Sequence, residues 1–230
     1  MSLPANPSNN LVAQLLPDFV AIVEGTIGGE PEELWPEEAA HIATAVEKRR
    51  KEFACGRLFA RRAFRALGVT AGPLLANPDR SPHWPDGLVG SIAHTDDYCA
   101  VAVAKKTEAE AIGIDVENVA RFQAGFLPYI LSPDEIAANL QGLTPEQQRN
   151  RGVAVFSAKE AFYKCIYSIA RTPLSFHDGS IVFDDSSDIF RLRLLAPAGP
   201  FRAGDCFAGR YIFGGKRVAA VMILPQPAAA

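Results

Sequence analysis

The second half of the chain has the clearer pattern of apolar and polar positions. From about Pro145 to Ala170 apolar residues recur at helical spacing, with Phe156, Tyr163, Tyr167 and Ala170 on one arc and Phe162, Ile166 and Ile169 continuing it. Four β-type runs follow at 180–184, 189–195, 206–213 and 217–224. Ahead of the helix, "SPDEIAANLQ" reads as a shorter helical stretch.

The first half has the same order of elements. "PEEAAHIATAVEKRRKEFACGRLFARRAFRALG" predicts a helix from Pro36 to Leu67, stopped by Gly68. The segment after it carries Pro73, Pro78, Pro82 and Pro85 and reads as a long irregular loop, a length that often serves function. "LVGSIAHTDDYCAVAVA" predicts two strands joined by a turn, and "AIGIDVE" a third, together an antiparallel meander. The expected fold is α+β, built of two pseudo-symmetric halves, each a long helix packed on a small antiparallel sheet. The halves are expected at 1–118 and 119–230, an organisation inferred from element order because no residue-level repeat is visible.

Composition narrows the function. A chain of 230 residues with 48% hydrophobic content can bury a sizeable core. Its apolar runs fall far short of the roughly 20 residues a bilayer needs, and "MSLPANPSNN" has no leader pattern, so a cytoplasmic protein acting without a membrane is expected. Cys55, Cys99, Cys165 and Cys206 form no C-x-x-C pair, which predicts reduced and mostly buried thiols. A net charge of −3 speaks against a nucleic-acid partner. Yet Lys48, Arg49, Arg50, Lys51, Arg57, Arg61, Arg62 and Arg65 stand against Glu52 alone, a local excess that suits a small anionic ligand.

Two motifs carry chemistry. In a strand, Asp115 and Glu117 of "GIDVE" share one face with Cα atoms about 6.6 Å apart, a spacing that can grip one cation. An isolated D-x-E is as readily an exposed strand face; the second motif shifts that balance. On the helix "FSAKEAFYK", Lys159 falls inside the apolar arc, Glu160 lies at its edge, and Lys164 follows Glu160 at i+4, where the two can meet. Asp115, Glu117 and Glu160 together suit Mg²⁺, a hard cation that keeps phosphate or water in its shell, and the lysines then imply a phosphate. On the first helix Arg57 borders the apolar stripe after Gly56, placed for bidentate phosphate contact, while Arg61 and Arg65 sweep outward. His94 ends the strand "GSIAH", where its ring could donate to an anion; His41, His83 and His177 have no such context.

In order and spacing, "HWPDG", "GSIAH", "GIDVE" and "FSAKEAFYK" resemble the signature set of the 4′-phosphopantetheinyl transferases of the Sfp/EntD type. The "PHWPDG" loop, with Phe156 in place of a tryptophan, is similar to the enterobactin-synthase branch. The resemblance implies transfer of phosphopantetheine from coenzyme A to a serine of an acyl or peptidyl carrier protein, with Mg²⁺ as metal and adenosine 3′,5′-bisphosphate as product, in siderophore, polyketide, nonribosomal peptide or fatty acid synthesis. It implies a monomer with Asp115, Glu117 and Glu160 as metal ligands, Glu160 also as base, and Lys164 stabilising the leaving group. Arg57, Arg61, Arg80, His94, Lys159 and Lys164 are the implied coenzyme contacts. Ala93 departs from the Ser or Thr that the family often carries before the histidine.

Two other readings stand beside this one. A metal-dependent nuclease also uses a D…E…K set at a phosphodiester, although no extended basic, aromatic-rich surface accompanies it here. A non-enzymatic coenzyme-binding or carrier-docking module would bind without turnover. No phosphate-binding glycine loop and no G-x-S-x-G elbow is present.

Overall fold

In a computed structural model, residues 10–28, 30–184 and 186–226 are described. Two compact units emerge, one running to Ile112 and including the C-terminal residues from Pro225, the other spanning Gly113–Leu224.

In the first unit β1 (Ala21–Thr26), β2 (Leu88–His94) and β3 (Tyr98–Lys105) form an antiparallel sheet in the order β1-β3-β2. Helix α2 (Glu47–Ala66) packs on it, with Phe59, Ala60, Ala63 and Phe64 against Cys99, Val101 and Val103 of the central strand. Alternate residues of β3 share a face, so a short i, i+2 run meets an i, i+4 stripe. Gly68 takes a positive φ of 72° and ends the helix, with Val69 N bonded back to Phe64 O at 2.9 Å.

The helix expected from Pro36 to Leu67 is broken. Helix α1 (Pro36–Ala40) stops, and α2 restarts after Val46, which is extended. The intervening residues include β-branched Ile42, Thr44 and Val46, which resist helix. The break also seats Glu38, fully buried, where its carboxylate accepts from Trp35 N (3.1 Å), Leu74 N (2.9 Å) and Arg61 Nη2 (3.0 Å). A continuous helix would not leave Glu38 these partners.

The second unit holds a five-stranded sheet in the order β4-β8-β7-β6-β5. Its strands are β4 (Ala109–Asn118), β5 (Gly179–Phe183), β6 (Ile189–Leu194), β7 (Cys206–Gly214) and β8 (Arg217–Pro225), the last four as the sequence pattern places them. Helices α3 (Leu127–Ile130), α4 (Pro133–Leu140) and α5 (Pro145–Ala170) complete it. Thr144 and Gln147 cap α5 reciprocally, with Pro145 at its first position.

Strand β4 is not the third strand of a meander with β2 and β3. It pairs with β8, so Asp115 and Glu117 belong to the second unit and the division falls before them, not after Asn118. The buried side of α5 also differs from the arc of large residues: Ala158, Ala161, Phe162, Cys165 and Ile166 are buried, while Phe156, Tyr163 and Tyr167 are half-exposed. Small residues face inward because the backbone of β4 comes very close to the helix there.

Candidate active site

That close approach rests on Gly113. A Cβ built on it would stand 1.8 Å from Ala161 O, 2.7 Å from Cys165 N and 2.8 Å from Cys165 Cβ. Only a residue without a side chain lets the strand lie on the helix backbone. Two and four residues further on, Asp115 and Glu117 are carried to the turn of α5 that bears Glu160 and Lys164.

The four groups form one electrostatic cluster. Lys164 Nζ lies 2.7 Å from Asp115 Oδ1 and donates to Ile114 O at 3.2 Å. Burial pushes the Glu117 carboxyl up to about 8; the Asp115 charge adds to this, Lys164 opposes it, and Glu160 raises it further. Glu160 is also pushed up, first by burial and then by Asp115, against the pull of Lys164. Burial alone would lower the Lys164 ammonium, but Asp115, then Glu160 and Glu117, outweigh it and raise it above the ordinary range. Asp115 Oδ2 is buried with no hydrogen-bond partner. Among the described residues, no three His, Cys, Asp or Glu side chains already stand in a metal-holding arrangement.

Beside Glu160 lies a cavity of about 330 Å³, its walls including Tyr129, Phe162, Tyr163, Leu174 and Phe176. Lys159 also borders it, but its ammonium is not available to a cofactor. It lies 2.8 Å from Glu135 Oε1 and donates to Ile130 O (2.9 Å) and Phe176 O (2.7 Å). Three hydrogens and three acceptors leave it saturated, which corrects its expected role as a coenzyme contact. Burial lowers its pKa, and Glu135 works against that.

The first unit has its own cavity, about 580 Å³, bordered by His41, Arg49, Phe53, Arg57, Asn77 and Arg80. Arg57 is buried, its guanidinium 3.7 Å above the Phe53 ring and its Nε donating to Leu74 O at 3.1 Å. Burial brings its pKa down to about 10. Arg80 sits at φ 69° in a turn closed by its own N–H to Asn77 O (2.8 Å), which presents the side chain at the cavity edge. Arg49 Nη1 donates to His94 Nε2 at 3.0 Å, so the ring carries its hydrogen on Nδ1, 3.8 Å from Glu52 Oε2.

Arg61 is the exception among the expected contacts. Its guanidinium is engaged by Glu38 and by Glu33 O at 3.1 Å, and it does not border this cavity. Arg49 and His41 were missed. Arg49 precedes Arg57 by two helical turns on one face, a spacing that could have marked it; His41 lies in the helix break, which no local signal announced.

A family model described as "4'-phosphopantetheinyl transferase N-terminal domain" matches residues 37–104, and another described as "4'-phosphopantetheinyl transferase superfamily" matches 111–205. The chain is 37% identical over 227 residues to 4′-phosphopantetheinyl transferase Svp of Streptomyces mobaraensis, covering 95% of this chain and 91% of that one. The chain belongs to the 4′-phosphopantetheinyl transferase superfamily. This transferase is also 35% identical over 181 residues to PptT of Mycobacterium tuberculosis, with 77% and 79% of the two chains covered. Likeness to enterobactin synthase component D of Salmonella typhimurium is 34% over 133 residues, covering 57% of this transferase and 54% of that protein. Family membership sets aside the nuclease reading, and the family draws phosphopantetheine from coenzyme A for carrier proteins. No helix among the described residues is long and apolar enough to cross a membrane.

Proposed function

We propose that the transferase moves the 4′-phosphopantetheine group of coenzyme A to a carrier-protein serine at the Asp115–Glu117–Glu160–Lys164 cluster. One observation carries the assignment: carboxylates of two elements press on one another while Asp115 Oδ2 is buried and unpartnered. Such a set fits a hard divalent cation, and Asp115, Glu117 and Glu160 would hold Mg²⁺. When bound, the ion would neutralise the pyrophosphate and make its phosphorus more electrophilic.

The chain's own groups supply the rest. A raised Glu160 pKa suits a base working near neutral pH, taking the serine proton directly or through one water. The serine oxygen bonds to the phosphorus bearing pantetheine, the bond to the bridging oxygen breaks, and adenosine 3′,5′-bisphosphate leaves with the electron pair. Lys164, held charged by Asp115, stabilises that oxygen. Arg57, Arg80 and His94, with Arg49, would meet coenzyme phosphates, and the apolar cavity beside Glu160 would take the pantetheine chain.

An apo carrier protein incubated with coenzyme A and Mg²⁺ should gain the mass of one phosphopantetheine group. Chelation of the metal, or Asp115→Ala, should remove the gain. An undiminished gain in Asp115→Ala protein would refute the site.

Arg80→Asn separates binding from folding. Asn tolerates the left-handed backbone at this position, so the turn should survive with an unchanged Tm. Loss of one charge-assisted contact, worth about 1.5–3 kcal/mol, should raise KM for coenzyme A roughly 10-fold or more with kcat little changed. An unaltered KM would place Arg80 outside the coenzyme site.

A further inference from the structure

The mechanism above leaves the Glu135–Lys159 pair unused, although both side chains are only 3% exposed. Lys159 ties α5 to the end of α3 through Ile130 O and to the 3₁₀ turn Phe176–Asp178 through Phe176 O. Glu135 ties α4 to the edge strand β5, accepting from Ile181 N at 2.9 Å through the same Oε1 that meets Lys159. Its Oε2 accepts from Ser132 N at 3.0 Å. One helical turn on, Asn139 Nδ2 donates to Ile181 O at 3.0 Å, so Glu135 and Asn139 together complete the backbone of the edge residue as a neighbouring strand would.

The segments so tied are the walls of the cavity beside Glu160. Tyr129 precedes Ile130 on α3, Ser175 and His177 flank Phe176, and Glu160 follows Lys159 on α5. A buried ion pair is weak evidence of stabilisation, because an apolar pair of similar volume often does as well. What an apolar pair cannot do is hold two carbonyls and a carboxylate at fixed distances from one nitrogen. The pair therefore reads as a spacer between cavity walls.

We propose that Glu135 is a positioning residue for phosphopantetheine transfer: through Lys159 it holds α3 and the Phe176 turn at the separation that admits the pantetheine chain beside Glu160. This inference rests on the reading of that cavity given above. Glu135 itself touches no substrate.

The test compares two ligands on the full chain. Coenzyme A carries the pantetheine chain; adenosine 3′,5′-bisphosphate lacks it and reports only on nucleotide contacts and folding. Glu135→Gln should weaken coenzyme A binding by up to about 100-fold, the scale of an ångström-level misplacement, while bisphosphate binding is unchanged. In steady state KM for coenzyme A should rise by a larger factor than kcat falls. The double variant Glu135→Gln/Lys159→Met is neutral and close in volume, so its Tm should return to the wild-type value or exceed it while the coenzyme A deficit persists.

Recovery of coenzyme A affinity together with Tm in the double variant would overturn the proposal, as would equal losses for both ligands, since either makes the pair a support of the fold alone. If Glu135→Gln does not fold, the double variant carries the comparison. A wild-type protein that binds coenzyme A yet never modifies a carrier would sink the functional reading and leave this binding comparison standing.

Discussion

Glu160→Gln is expected to lower kcat/KM by about 10³-fold or more, since a positioned general base contributes about 10²–10⁴-fold, and this residue also belongs to the proposed metal set. The fold should not suffer. Glu160 is pushed toward its protonated form by burial and by Asp115, so an uncharged amide of the same shape removes a strain that the carboxylate imposes. The pH dependence follows from the sign of that shift. A carboxyl whose folded pKa is raised binds a proton that the unfolded chain has already released, so its contribution to stability falls as pH rises from the ordinary carboxylate range. For Glu117, that window extends to about 8. The gain in Tm of Glu160→Gln over wild type, both free of divalent cation, should therefore grow as pH rises. Scanning calorimetry across pH and single-turnover transfer at saturating carrier check the two halves separately. Transfer at the wild-type rate in this variant would remove Glu160 from the chemistry.

Most of the second unit was legible because its signals are local. The Thr144–Pro145 start of α5 and the β-type runs that close the chain are written within a few neighbouring residues. Asp115, Glu117, Glu160 and Lys164 were legible for a related reason, since strand and helix spacing put each pair on one face before any pairing was known. What the sequence hid depends on distant partners. The break between α1 and α2 answers to Leu74 and Arg61, which meet Glu38 only in the folded chain. Arg61 and Lys159 look like ligand contacts as isolated cations, but Glu38 and Glu135, on other helices, take them up. The sheet to which β4 belongs is decided by β8, far along the chain, while the local pattern favoured its neighbours β2 and β3.

Gly113→Ala should be the most damaging single-methyl change in the transferase. The new Cβ would meet Ala161 O at 1.8 Å and Cys165 N at 2.7 Å, and these are backbone atoms that no rotamer change can move. Overpacking commonly costs about 1–3 kcal/mol, and the upper end or beyond applies where the obstacle is a main-chain carbonyl. At about 2–4 °C per kcal/mol for a chain of this size, Tm should fall by roughly 6–12 °C. Relief is possible only if β4 lifts from α5, which carries Asp115 and Glu117 away from Glu160 and Lys164. A displacement of about 1 Å can cost 100-fold in rate, so surviving folded protein should have lost most of its activity. Adding Cys165→Gly removes the side-chain contact at 2.8 Å but neither backbone contact, and so should not rescue. Gly25→Ala on β1 is the matched control: its Cβ would meet nothing within 4 Å, and its Tm should stay within about 0.5 kcal/mol of wild type in stability. Wild-type Tm and transfer rate in Gly113→Ala would mean that strand and helix are not held together as the cluster requires.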